Sequence, residues 1–161
     1  MGDARKVSDL FESTPDGVLA HFSDAERDFL IQLLELLADV GSAAGDPAAA
    51  RLDPVVYPDD PLAEEEYRRL MRSEIDEARV ADRSAYQMVL ESKGDVTMSF
   101  PEAEAVMRVV GEGRLALAAR LGIRVEGDTE TLDKDDRSAL DYLAYVQGNL
   151  IEVLSTRLPS I

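Results

Sequence analysis

Pro54, Pro58 and Pro61 punctuate the run Arg51 to Leu70, RLDPVVYPDDPLAEEEYRRL, and constrain its backbone more than any other stretch of the chain. A residue before proline is pushed out of the α region, so Pro54 and Pro58 keep this segment extended and exclude helix. Asp60 followed by Pro61 then reads as a helix start, an N-cap with proline at the first helical position. Glu64, Glu65 and Glu66 complement the positive end of that helix, and Arg68, Arg69 and Arg72 its negative end. Glu64 to Arg68 and Glu65 to Arg69 also have the favourable i,i+4 order. Helix rules account for these charges. They do not account for Arg51-Leu-x-Pro followed by Tyr57-x-Asp59-Asp60, so the expectation is an extended strap, Arg51 to Asp60. It is either packed and ion-paired or a surface for a partner.

On both sides of the strap the pattern is helical. Ser23-Asp24-Ala25-Glu26 is a capping box. The helix behind it, to about Val40, carries Phe29, Leu30, Leu33, Leu34, Leu37 and Val40, widened by Ile31 and Leu36. Gly41 to Pro47 reads as a loop. After the strap, Ser73 is expected to cap a further helix to about Glu91, with Ile75, Ala78, Arg79, Ala85, Tyr86, Val89 and Leu90 inward. Ser99-Phe100-Pro101-Glu102 is a second capping box, opening a helix to about Leu121 with Gly122 as its C′ residue. Gly111 and Gly113 inside that helix cost stability and point to close helix contact. An acidic loop, Glu126 to Asp136, leads to a last helix from about Asp136 to Leu158. Its Leu140, Leu143, Val146, Leu150, Ile151 and Leu154 suit a core and, together with the first helix, a homodimer contact.

The β content is small. Residues 7–22 read as a hairpin turning at Thr14-Pro15-Asp16-Gly17, with Pro15 second in the turn and Gly17 in the left-handed position. Val96-Thr97-Met98 is a candidate third strand, which supplies the stability that two strands lack. The expected fold is therefore mostly α (α+β): about five helices in a bundle-like layer with a small N-terminal antiparallel sheet. With 161 residues it forms one domain, large enough to bury its own core.

Several chemistries fail on residue inventory. There are no cysteines and one histidine, His21, which alternation puts opposite Val18 and Phe22 at an exposed or rim position. That excludes a thiolate site, a di-iron bundle and a histidine-ligated zinc hydrolase. Glu74-x-x-Glu77 and Glu130-x-x-Asp133 have the spacing of a helical Mg²⁺ site, but the second pair falls in the acidic loop. Asp128, Glu130, Asp133, Asp135 and Asp136 lack the central Gly and terminal Glu of an EF-hand. No Gly-rich loop follows a strand, and no serine stands beside a base. No cofactor is expected, and the enzyme reading is set below a binding one.

Net charge is −16, a field that repels nucleic acid and anionic membranes. The N-terminus, MGDARKVSDL, lacks an apolar leader, Lys6 spoils a myristoylation motif at Gly2, and no run suits a membrane span. The expected location is the cytoplasm.

Three ordered segments carry a family resemblance. RLDPVVYPDDPLAEEEYRRL resembles the RLxPxAYxDDxxAxxEFRRL run of an actinobacterial domain family of unknown function, DUF2017. GRLALAARLGI is similar to its RLaLGtRLGI segment, and DYLAYVQGNLIEVL to its closing YdWLgYLQesL helix. The chain departs at Ala118 and Ala144, where that family has Gly, and at Asp141-Tyr142-Leu143, which lacks its Trp. The resemblance implies no established activity. Its members are often encoded beside the adaptor of the Clp protease, which implies a link to Clp-type proteolysis, and some are labelled transcriptional regulators.

Two binding functions follow as expectations. The first is a cytoplasmic adaptor or regulator that meets a protein partner through the strap and the Arg68-Arg69-Arg72 corner. The second is a DNA-binding regulator using the hairpin as a wing and the arginines of residues 68–83. A Mg²⁺-dependent enzyme stands third. The candidate surface comprises Arg51, Tyr57, Asp59, Asp60, Arg68, Arg69, Arg114 and Arg120. Within it, Arg114 or Arg120 is expected to pair with Asp59 or Asp60.

Overall fold

Pro15 and Asp16 form a two-residue connection between strands β1 (Phe11–Thr14) and β2 (Gly17–Ala20), with Thr14 opposite Gly17. Strand β3 (Val96–Met98) lies antiparallel to β2, Val18 opposite Met98, giving the sheet order β1-β2-β3. The computed structural model describes residues 10–124 and 126–156. The Val7–Asp9 part of the expected hairpin and the Gly2 and Lys6 features lie outside the described residues. Gly17 does not take the left-handed conformation expected of it. Its glycine is needed for space instead, because a Cβ there would overlap the carbonyl oxygen of Met98 on the neighbouring strand. Val18, Ala20 and Phe22 are buried, and Phe11 meets Phe22 edge to face at 5.8 Å. His21 sits between Glu12 and Asp95 at the rim, as alternation required.

Helix α1 (Asp24–Asp39) starts on the expected capping box, with both the Ser23 and Glu26 side chains bonded to backbone N–H groups. Leu30, Leu33 and Leu37 are buried along it. The same stripe includes Arg27, which the sequence pattern did not place inside. Its guanidinium lies over the Phe22 ring and donates to the Gly94 carbonyl at 2.7 Å.

Two boundaries depart from expectation. Asp46-Pro47 begins a short helix, α2 (Pro47–Leu52), inside what reads as loop and strap. Asp46 is its N-cap and Pro47 its first residue, the same device as Asp60-Pro61 further on. Arg51 is therefore helical, and the extended strap begins at Asp53. Second, Ser73 caps nothing. Helix α3 runs unbroken through it from Pro61 to Glu91. No glycine or proline interrupts the residues after Pro61, and Arg72 pairs with Asp76 one turn on, across the expected junction. The count of five helices survives because one helix was gained and two were merged. Ala78, expected inward, is exposed.

Helix α4 (Phe100–Arg120) packs against α1, α2, α3, the sheet and helix α5 (Lys134–Ser155), and is the centre of the fold. Its capping box at Ser99 is complete. Gly122, at φ +80°, ends it in a Schellman turn: Gly122 N–H donates to the Ala119 carbonyl and Ile123 N–H to that of Ala118. A 3₁₀ helix, Glu126–Thr131, occupies the expected acidic loop, and Asp133 caps α5 earlier than foreseen. Arg157 and Leu158 of the expected last helix lie outside the described residues. The core gathers Leu30, Tyr86, Leu90, Met98, Val106, Val109, Val110, Leu143, Val146 and Leu150, all fully buried. Tyr86 brings a hydroxyl into it and donates to the Leu30 carbonyl at 2.6 Å. Tyr145 and Asn149 of α5 accept the Leu10 and Phe11 N–H groups, tying the edge strand to the helices.

Candidate interaction surface

The strap, residues 53–60, makes no strand or helix, so its amides need other acceptors. Glu64, in the first turns of α3, supplies one. Its Oε1 accepts the N–H groups of Val56 at 2.9 Å and Tyr57 at 2.8 Å, while Oε2 takes Arg68 Nε at 2.8 Å. These donors, the Tyr57 amide foremost, outweigh desolvation and hold the carboxyl below the usual range. Asp60 caps α3 by accepting Ala63 N–H at 3.1 Å, and Tyr57 meets Tyr67 edge to face. At the other end Asp53 binds Arg72 and lies near Arg79, which donates to the Leu52 carbonyl at 2.7 Å. Arg79 and Arg83 both reach Glu112 on α4.

The result is a backbone fastened at both ends with its side chains turned out. Val55, Val56 and Tyr57 are 55%, 46% and 45% exposed, and Leu62 just beyond them is 79% exposed. Asp59 is exposed too.

The arginines fall differently from expectation. Arg68, Arg69 and Arg72 are held by Glu64, Glu66, Asp53 and Asp76, so that corner is self-neutralised. Neither Arg114 nor Arg120 reaches the strap carboxylates. Arg114 donates to Gln147 at 3.1 Å. Arg120 pairs with Asp46 at 2.7 Å and Asp39 at 3.1 Å. The reason is the unforeseen α2: its cap brings Asp46 to the end of α4, closer than any strap carboxylate. Arg120 and the Gly41 and Ala48 N–H groups hold the Asp46 carboxyl far below its ordinary value. Arg51 donates to the Ile123 carbonyl at 3.4 Å. Asp46-Pro47-Ala-Ala-Ala was the signal that could have revealed this arrangement.

The arginines of α3 bear on nucleic acid as well. Arg72, Arg79 and Arg83 are engaged by carboxylates, and Asp82 grips Arg108 with two bonds of 2.8 and 2.9 Å. Glu74 and Glu77 point into solvent. Among the described residues no three or more His, Cys, Asp or Glu are grouped to hold a metal ion. No helix among them is long and apolar enough to cross a membrane.

A fastened apolar strap over a helical layer, with a three-stranded sheet at one end, defines an α+β protein whose distinctive surface is the strap. The chain belongs to the family described as Domain of unknown function (DUF2017), which it matches over residues 5–154. No curated protein and no solved structure matches it.

Proposed function

We propose that this is a non-catalytic interaction protein, an adaptor or regulator working in the cytoplasm, whose protein partner docks on the strap. One observation carries this reading: Val55, Val56, Tyr57 and Leu62 stand exposed on a backbone fixed by Glu64. Apolar side chains on a loose loop would bury themselves or order only on binding. Held in place, they offer apolar area with little further entropy to lose. The Arg68-Arg69-Arg72 corner drops out of the contact, since its charge is already spent within the protein.

Nothing in the geometry favours the DNA-binding alternative, because the arginines it needs are paired with carboxylates and the net charge opposes it. The Mg²⁺-enzyme reading lacks inward carboxylates at Glu74 and Glu77. Self-association adds to the adaptor reading: Ile31 on α1 and Ile151 on α5 are 38% and 49% exposed. Light scattering at low micromolar concentration is expected to find a dimer, and a monomer removes that part.

The test is affinity capture from nuclease-treated cytoplasm with the wild type, a Val56→Asp/Tyr57→Asp variant and a Glu64→Ala variant. A specific protein held by the wild type, lost with the first variant and weakened with the second supports the strap. Capture that survives Val56→Asp/Tyr57→Asp, or that vanishes with nuclease, refutes it.

A further inference from the structure

A second feature adjoins the strap. Between α2 and the end of α4 lies an open groove of about 800 Å³. Pro47, Ala50, Pro54 and Ile123 give it an apolar floor, and among the described residues Arg51, Arg120 and Arg124 are its charged side chains. In a chain of net charge −16, a groove whose described lining holds three arginines and no carboxylate is a local inversion of charge.

The three are not equivalent. Arg120 is occupied by Asp46 and Asp39 and forms part of the wall. Among the described residues Arg51 has only the 3.4 Å bond to the Ile123 carbonyl, which leaves most of its five donors open. Arg124 is exposed, and its backbone N–H, not its guanidinium, donates to Asp128 at 2.9 Å. The Schellman turn at Gly122 and Ile123 brings the Ile123 carbonyl to Arg51, and Arg124, next in the chain, lines the same groove. Two open guanidinium forks over an apolar floor match a carboxylate with an apolar neighbour. At ordinary ionic strength the overall negative field is screened beyond about 10 Å, so contact chemistry inside the groove decides the outcome.

Pro54 of the strap lines the groove and the exposed Val55 follows it in the chain, so the groove adjoins the strap. We propose that the groove receives an acidic, apolar-flanked segment of a protein partner, its carboxylate bridged by Arg51 and Arg124. The proposal rests on the strap reading, and it supplies the chemistry of the partner: an aspartate or glutamate beside large apolar side chains.

The probe is a displayed library of random ten-residue peptides, selected on the full chain. The winners are then measured on the wild type, Arg51→Glu/Arg124→Glu and Val56→Asp/Tyr57→Asp. Both arginines are exposed, so the charge reversal is expected to leave the fold intact, which circular dichroism checks. The expected winners carry Asp or Glu next to Leu, Ile or Phe. They bind Arg51→Glu/Arg124→Glu about a hundredfold more weakly, roughly tenfold for each charge-assisted contact. Exchanging their acids for Asn or Gln weakens binding to the wild type but not to the arginine variant. Winners that lack acids, or that ignore the arginine variant yet fail on Val56→Asp/Tyr57→Asp, overturn the groove and leave the strap standing. Winners that need the arginines but not Val56 or Tyr57 support the groove and overturn the strap. A selection without winners counts against both.

Discussion

Gly111 and Gly113 lie two residues apart in α4 and invite opposite predictions. A Cβ at Gly113 would come within 2.5 Å of the Leu33 side chain, which is itself buried in the core. Gly113→Ala is expected to cost about 1–3 kcal/mol in denaturant unfolding, as overpacking does. At Gly111 the nearest atom is the amide tip of Gln147, at 2.8 Å, and that tip can swing away. Gly111→Ala then recovers helix propensity and is expected to stabilise by up to about 1 kcal/mol. His21 gives a prediction of another kind. Its hydrogen bond to Glu12 raises its pKa, against desolvation, and Asp95 adds to the rise. The folded state thus holds the proton more tightly than the unfolded one. The resulting stability is full below about pH 6.5, the ordinary histidine value, and is lost as pH rises through the folded pKa. His21→Gln is expected to remove that fall, so wild type and variant converge in unfolding midpoint between about pH 6 and 8. A constant difference would show that His21 does not gain a proton on folding.

At the scale of elements, Ser73 and Ser99 look alike in sequence but behave differently in the fold. Ser99 accepts the Glu102 N–H as an N-cap, and Ser99→Ala is expected to cost about 1 kcal/mol. Ser73 is an exposed interior residue of α3, so Ser73→Ala is expected to stabilise by a few tenths of a kcal/mol. Thermal unfolding of the two variants separates one long helix from two short ones. The pair also shows what the sequence could tell. Both capping boxes, the third strand, the glycine contact in α4 and the Gly122 turn follow from local rules and were legible. Local rules also offer a cap wherever serine precedes acidic residues. At Ser73 the helix simply continues, with no glycine or proline to stop it and the Arg72 to Asp76 pair spanning the junction. Asp46-Pro47 was legible by the rule applied at Asp60-Pro61, yet it was lost in a stretch of Gly, Ala and Ser. That one miss displaced the partner of Arg120. The strap was visible as an extended segment. Its fastening by Glu64 was not, because an i,i+4 pair with Arg68 already accounted for that carboxylate.

Across the whole molecule the apolar core is unevenly shared. The buried residues of α3 are Tyr86, Val89 and Leu90, all in its last two turns. Ahead of them, between Arg72 and Arg83, the helix is joined to its neighbours by Arg72 and Arg79 with Asp53, Arg79 and Arg83 with Glu112, and Asp82 with Arg108. A denaturant acts in proportion to the surface that an opening exposes. Release of the first half of α3 would expose charged contacts and little hydrocarbon, so it should have a small denaturant slope and a small heat-capacity change. In native-state hydrogen exchange, amides around Tyr67 to Ile75 are expected to open with a free energy almost flat in urea. Those around Tyr86 to Leu90 should follow the steep slope of global unfolding. Equal slopes along the helix would show it to be one cooperative rod. Unequal slopes would mean that the strap, tied to the weaker end through Glu64, can be let go while the core stays folded.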